Sequence, residues 1–374
     1  MSVLIKEVVE KGDLKKFIKF PFKLYAGNKY WVPPLFMDEF NNFRKDKNPA
    51  FDFCEAKYWL AYKDGKLAGR IAAIINNSFN QKVNRNLVRF GYIDFVDDEE
   101  VSAELIKTVE KWAKEKNAEA VHGPLGFTDM DPEGMLVEGF DELGTIATIY
   151  NYPYYSNHIE KLGYTKDNDW IEFLLNPTNE IPEKIERISE VVKQRYKLRL
   201  LKAKSSKDFL PYAHEIFDVL NSAYSNIYGF VPLTSKQIDL YVKQYFGFIK
   251  PEFVPVVLDE NNKVIAFGIT MPSMSRAFQK AKGRILPFGI IHILRAMNKT
   301  DRADLYLTGV RPDYQDKGVN AILICHMNKV FAKYKIRVVE SNPEMETNSK
   351  VQAQWRFYGK RQHRRRRCYI KELK

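Results

Sequence analysis

Gln315, Gly318 and Asn320 stand where a strand gives way to a helix, and a turn of that kind can hold a phosphate. Ala303-Asp304-Leu305-Tyr306-Leu307-Thr308 alternates apolar with polar or small residues, as a half-buried strand does, while Ala321, Ile322, Leu323, Ile324, Met327, Val330 and Phe331 recur at helical spacing. Backbone N–H groups in the first turn of a helix have no intrahelical acceptor and lie at the positive end of its dipole, so residues 311–320 suit an anion such as a pyrophosphate. Glycine is common in turns, and the segment also reads as an ordinary strand-to-helix connection. A second constellation is acidic. Asp129, Asp131, Glu133 and Gly134 fall at positions 1, 3, 5 and 6 of an EF-hand loop, but position 12 is Phe140 and Pro132 stiffens the loop, so no metal is expected there. A long acidic loop is more often functional than idle. Asp129, Asp131, Glu133 and Glu138, with Asn151 and Tyr154, are therefore expected to face a cationic or amine-bearing acceptor in a cleft between domains. The loop reads equally as a cap on its own domain.

Other chemistries fit poorly. No Gly-x-Ser-x-Gly elbow occurs, the six His are scattered, and Cys325 lies in an apolar helix as a small hydrophobe, so a covalent nucleophile is not indicated. Cys54, Cys325 and Cys368 are far apart and odd in number, which suits neither a disulfide framework nor zinc and points to a reducing, cytoplasmic setting. The first residues pass directly into a strand pattern without an apolar signal core, and no apolar run of about 18 residues appears. The net charge of +12 divides unevenly: 23 Lys+Arg against 29 Asp+Glu up to residue 180, and 36 against 18 beyond it. A basic half suits nucleic acid, acidic lipid or a polyphosphate ligand. Lys360-Arg361-Gln362-His363-Arg364-Arg365-Arg366-Arg367 reads as a nucleic-acid tail or as a solvated sheet edge, with Cys368-Tyr369-Ile370 as a last strand.

The elements that must position these groups form two similar series. A chain of 374 residues, 45% of them apolar, suggests two domains, with turn formers clustered at 176–182. The second half reads as a helix to Arg195, a strand (198–201), helices (209–224 and 235–248), strands about the turn at 259–262, an insertion (276–300), the strand and helix of the phosphate turn, a strand (338–341), a helix (348–359) and a final strand. The first half repeats this order with strands at 2–8, 58–62, 68–75 and 90–95 and helices at 13–25 and 99–116. At its own β-to-α turn, Asp97-Asp98-Glu99-Glu100 offers acids and no glycine, which repels a pyrophosphate. The insertion's apolar run, 285–297, is too short to cross a bilayer; core packing is the simplest account, with a lid or a lipid-touching surface helix as alternatives.

Gln-x-x-Gly-x-Asn after Val310-Arg311-Pro312 resembles the acyl-CoA pyrophosphate loop of the GNAT acetyltransferase superfamily, with Asn320 in place of the usual last Gly or Ala. Asn348, Val351, Trp355 and Gly359 match the spacing of that family's last helix, where Trp355 replaces the Tyr that in many relatives protonates the departing thiolate. Glu160-Lys161-Leu162-Gly163-Tyr164 matches the end-of-helix signature in the first half, with Ile159 at the acid's position. Trp31-Val32-Pro33-Pro34, Gly123-Pro124 and Glu138-Gly139-Phe140-Asp141 resemble a little-characterised bacterial family of tandem GNAT-like proteins, over nearly the whole chain.

The resemblance implies an α/β (α+β) fold of two tandem GNAT-like domains, each a mixed, mostly antiparallel twisted sheet flanked by helices. Residues 1–180 would form a degenerate domain without a phosphate loop and 181–374 the acyl-CoA-binding domain. It implies acetyl-CoA or another acyl-CoA held by Val310, Gln315, Asp316, Lys317, Gly318, Val319, Asn320, Asn348 and Trp355, and direct acyl transfer to the amine of a small molecule or peptide. Such transfer needs a neutral amine and a proton acceptor. Asp304, in the strand where many relatives keep a carboxylate, and Glu340, at the end of the next, are the candidates, each also able to serve in a structural ion pair. Tyr358, on a neighbouring part of the helical face, would replace the missing acid. The competing class is a catalytically inactive GNAT-like protein that binds nucleic acid or an anionic lipid surface.

Overall fold

The computed structural model describes residues 2–177 and 183–374, so the boundary expected at 180/181 lies outside the described residues. The first series runs β1 (Leu4–Glu7), α1 (Lys11–Leu24), α2 (Phe36–Asn42), β2 (Cys54–Lys63), β3 (Lys66–Asn76), α3 (Asn77–Val83), β4 (Leu87–Phe95), α4 (Glu99–Glu115), β5 (Ala120–Gly123), β6 (Met135–Glu138), α5 (Tyr154–Lys161) and β7 (Thr165–Asn176). β1 to β4 pair antiparallel in sequence order, and β4 then pairs β5 in parallel. Asp64 and Gly65, at φ 51° and 73°, make the tight left-handed turn that a two-residue hairpin needs between β2 and β3.

The second series repeats the plan: α6 (Glu183–Arg195), β8 (Arg199–Leu200), α7 (Ala213–Ala223), α8 (Ser235–Tyr245), β9 (Val256–Leu258), β10 (Val264–Pro272), α9 (Ser275–Ala281), α10 (Gly289–Lys299), β11 (Arg302–Val310), α11 (Asn320–Tyr334), β12 (Val338–Glu340), β13 (Glu344–Met345), α12 (Ser349–Gln352) and β14 (Gly359–Glu372). β8 to β11 are antiparallel in order and β11–β12 is parallel. The continuous helix expected over 348–359 is instead one turn, α12, followed by a 3-10 segment at Ala353–Phe357.

Two compact units result, and neither is one contiguous half of the chain. Unit 1 contains Met1–Ile171, Met274–Ile293 and His363–Lys374; unit 2 contains Glu172–Ser273 and Leu294–Gln362. Each unit therefore takes a strand from the opposite half of the sequence. In unit 2, Leu174 and Leu175 of β7 pair antiparallel with Glu340 and Val339 of β12. In unit 1, the end of β14 pairs with β5 (Tyr369 opposite Gly123) and its middle with β6 (Arg365 opposite Glu138). Unit 1 packs Trp59, Ile71, Phe90, Leu105, Val109 and Tyr369 into one core, and unit 2 packs Val192, Val257, Ile265, Val310 and Ile322.

This exchange overturns both readings of the basic cluster. It is neither a tail nor a solvated edge: Arg364 and Arg366 are 1% exposed within β14, which has partners on β5 and β6. Arg365 Nη1 reaches Asp169 Oδ2 at 3.0 Å, and Arg367 Nε reaches Asp169 Oδ1 at 2.9 Å. Arg366 donates to the Ile149 carbonyl. Arg364 to Arg367 are thus built into the fold, with Arg365 and Arg367 paired to the buried Asp169, while Lys360, Arg361 and Gln362 are exposed. By unit, the balance is 33 Lys+Arg against 28 Asp+Glu in unit 1 and 26 against 19 in unit 2, so the acidic-half, basic-half contrast does not survive folding.

Candidate functional site

In unit 2, β11 and β12 stay paired only at Arg302–Val338, Ala303–Val339 and Asp304–Glu340, after which β11 continues with that edge free of β12. Opposite β10, Ile269 faces Leu307 and Thr270 faces Leu305, so Tyr306 is an extra residue, a β-bulge. A bulge leaves backbone groups unpaired and re-aims a side chain, which suits a strand that must meet a ligand. Asp304 and Glu340 sit side by side on one face at the last pair, both buried. Burial, then the charge of nearby Asp304, raises the Tyr306 phenol's pKa well above its ordinary value. Arg302 Nη2 lies 3.9 Å from Glu340 Oε2, a loose ion pair. Nothing in the alternating pattern of 303–308 marks the bulge, and Tyr306 is the functional candidate that sequence reasoning missed.

The phosphate turn follows directly. Gly318 has φ +80°, and a Cβ there would come within 3.2 Å of Val192 Cγ2 on α6, so the position favours glycine on both conformational and packing grounds. Asp316 also adopts positive φ, 58°. Val319 caps α11 without a side-chain acceptor, and among the described residues the N–H groups of Lys317, Gly318, Val319 and Asn320 donate to nothing. Four such donors in series at a helix start have the geometry that suits an anion. The Lys317 ammonium lies 5.2 Å from the Tyr314 ring centre and 5.5 Å from that of Tyr196. Gln315 instead donates to the Val310 carbonyl (3.1 Å), bracing the strand end, and Asp316 pairs with Lys350 at the surface.

The remaining unit 2 candidates have structural duties. Asn348 caps α12, accepting from the Val351 N–H at 3.3 Å. Buried Trp355 donates Nε1–H to Glu344 (2.7 Å), whose carboxyl is pushed up to about 7 chiefly by burial. Tyr358 donates its hydroxyl to Asn328 Oδ1 at 2.8 Å, and burial pushes its pKa up to about 12. It is anchored to α11 rather than free to give a proton.

Unit 1 carries the same bulge, now closed. Arg70 faces Asp94 and Ala72 faces Gly91, leaving an extra residue on β4 around Tyr92, which has φ 47°. The free edge is occupied by the protein itself: Tyr154 donates to the Phe95 carbonyl (2.6 Å) and the Phe95 N–H donates to Tyr155 (3.1 Å). At the helix start, the Asp98 carboxylate accepts from the Glu100 and Val101 N–H groups, so an internal anion fills the phosphate position.

Beside this bulge lies a cavity of about 90 Å³ lined by Tyr25, Glu39, Arg70, Tyr92, Asp94 and Tyr155, among others. Asp94 is held by Arg70 Nε at 2.7 Å and by the Tyr25 hydroxyl at 2.7 Å. Glu39 has a pKa raised to about 7 by burial, with Asp131 and Asp94 adding to the rise against Arg70. Of the acidic-loop candidates, Asp131 accepts from Asn42 (2.9 Å) and the Thr128 N–H (3.0 Å). Burial raises Asp129 to about 7 and lifts Glu133 further, with the Asp129 charge contributing. Glu138 pairs with Arg365 at 3.2 Å, while buried Asn151 accepts from the Leu136 N–H (2.7 Å) and donates to its carbonyl (3.0 Å). Asn151 and Tyr154 are thus scaffold, and Glu39 is the carboxyl nearest to a ligand role in that cavity.

No family model matches the chain. It is 28% identical over 377 residues to Protein YghO of Escherichia coli (strain K12), covering 99% of this chain and 95% of that protein. It is 28% identical over 353 residues to the bacterial ceramide synthase of Caulobacter vibrioides (strain NA1000 / CB15N), covering 89% and 90% respectively. Among solved structures, a tandem GNAT protein from the clavulanic acid biosynthesis pathway is similar at a TM-score of 0.55 and 10% identity, over 99% of this chain and 98% of that one. With a bulged strand, a parallel neighbour and a following helix present twice, and that likeness running end to end, the chain has a tandem GNAT-like fold.

Proposed function

We propose that the protein is an N-acyltransferase that uses acyl-CoA, bound by unit 2, to acylate an amine. The observation that carries this reading is the series of four free N–H groups, Lys317 to Asn320, directly after the bulged strand β11. The pyrophosphate of CoA matches such a cradle in charge and size. Acyl-CoA brings a thioester already activated for attack. Asp304 or Glu340 takes up the proton that the attacking amine gives up, and the Tyr306 hydroxyl, on the bulge two residues from Asp304, serves as the proton donor in place of Tyr358, which is held by Asn328.

The relative named a bacterial ceramide synthase bears on the acceptor. A ceramide is the amide of a fatty acid and a long-chain amino alcohol, so the acceptor class favoured here is an amine-bearing lipid, and the donor a long-chain acyl-CoA in preference to acetyl-CoA. Calorimetric titration with acetyl-CoA and palmitoyl-CoA, using the wild type and Gly318→Glu, tests the cofactor. Binding by the wild type and its loss in the variant, whose side chain would meet Val192 and Ile188 on α6 and distort the turn while its melting temperature reports the fold, is the expected result. Release of free CoA thiol in a screen of long-chain amino alcohols, polyamines and peptides tests the acceptor. Failure of the wild type to bind either acyl-CoA would overturn the reading.

A further inference from the structure

The segment from Met274 to Thr300 contains no Asp or Glu and six Lys or Arg residues. α9 anchors its first part within unit 1: Phe278 and Ala277 are buried, Gln279 donates to the Trp31 carbonyl at 2.9 Å, and the Gly283 carbonyl accepts from the Phe36 N–H at 2.9 Å. Beyond that anchor the chain turns outward. Leu286 is 75% exposed, Phe288 72%, Ile291 60% and Leu294 52%, against a buried Gly289 and Ile293 on the inner side of α10. Ile291 and Leu294 are one helical turn apart, and Phe288 precedes Ile291 by the same interval, so they form one outward stripe. Lys282 and Arg284 border it at one end, Arg295 and Lys299 at the other, all exposed. None of these four, nor Arg276 or Lys280, is in an ion pair among the described residues.

We propose that this stripe is a membrane-surface anchor: α10 and the loop before it lie in the headgroup layer of an anionic bilayer, with Leu286, Phe288, Ile291 and Leu294 entering the acyl boundary. The physical case rests on three features together. Three large apolar side chains in one exposed stripe, with exposed Leu286 in the loop before it, lose water contact only against an apolar phase. A cationic border without a single acid complements anionic headgroups and would be left uncompensated against a neutral or basic partner. The helix is also too short to span a bilayer, among described residues none of which forms a spanning helix, so the mode is lying on the surface. The inference does not depend on acyl transfer, and its test contains no acyl-CoA.

The experiment is flotation of the full chain with vesicles of phosphatidylcholine alone and of phosphatidylcholine with 30% phosphatidylglycerol, at low and high salt. The wild type should bind the anionic vesicles at least about tenfold better than the neutral ones, with the preference shrinking as salt screens it. Phe288→Glu with Ile291→Glu should abolish flotation, and Arg284→Gln with Arg295→Gln should weaken it and flatten the salt dependence. These side chains are exposed, so far-ultraviolet circular dichroism and the melting temperature should match the wild type. Equal recovery of the wild type with both vesicle types, or undiminished flotation of the glutamate variant, would refute the anchor. A stable dimer that the same glutamate pair dissociates, with no flotation by the wild type, would assign the stripe to a second copy and refute it as well.

Discussion

At the level of single residues, the chemistry proposed for unit 2 depends on three oxygen acids with different freedom. Asp304 and Glu340 are neighbours on paired strands, and Tyr306 stands on the bulge two residues beyond the first. Asp304→Asn should lower kcat/KM by about 10²- to 10⁴-fold, the usual worth of a positioned base. Tyr358→Phe should leave the rate nearly unchanged while costing about 1 kcal/mol of stability, since only its bond to Asn328 is lost. The contrast between the two, measured by steady-state kinetics and chemical denaturation, separates a catalytic from a scaffolding hydroxyl or carboxyl. Glu344 gives a pH prediction. Its pKa is raised on folding to about 7, so the folded state holds a proton that the unfolded state releases near 4.5, and stability falls as pH rises between those values. Glu344→Gln, which still accepts from Trp355, should melt higher than the wild type at pH 8 and alike at pH 5. The turn at Gly318 was legible in the sequence because a turn is a local matter; the place of Tyr306 on a bulge was not, because the bulge exists only against β10.

Among the elements, β14 shows how a run of like charge can be interior. Asp169 is 1% exposed and accepts from Arg365 and Arg367, whose bonds outweigh burial and hold its pKa below the ordinary value. Its stabilisation is present above the unfolded pKa near 3.8 and fades as pH falls through the folded value. Asp169→Asn should therefore cost roughly 1–3 kcal/mol in denaturant titrations at neutral pH, since the charge-assisted bonds to two partly exposed guanidinium groups are weakened at a buried site. Periodicity located β14's last residues, and the strand order of both series was readable because hydrophobic alternation is strong there. Partner strands remote in sequence carry no such signal, which is why Lys360–Arg367 read as an edge. α10 went the other way: its apolar run read as core, yet its outer stripe is exposed, since periodicity reports a face and not what covers it.

For the molecule as a whole, the duplication was visible and the exchange of strands was not. Unit 1 lacks its last strand unless His363–Lys374 is present. A fragment covering residues 2–177 should accordingly fail to reach the native unit, with weak near-ultraviolet dichroism and fast amide exchange in β5, and a peptide of residues 359–374 added in trans should restore protection there. Native-like exchange in the fragment alone would contradict this.

That same borrowed strand fixes a timetable for synthesis. The chain that closes unit 1 leaves the ribosome roughly 190 residues after Ile171, which at translation rates of about 5–20 residues per second is a delay of about 10–40 s. Throughout that interval the nascent β5 presents an open edge, so the protein must either emerge under the care of a holding chaperone or risk pairing with its neighbours on the same messenger.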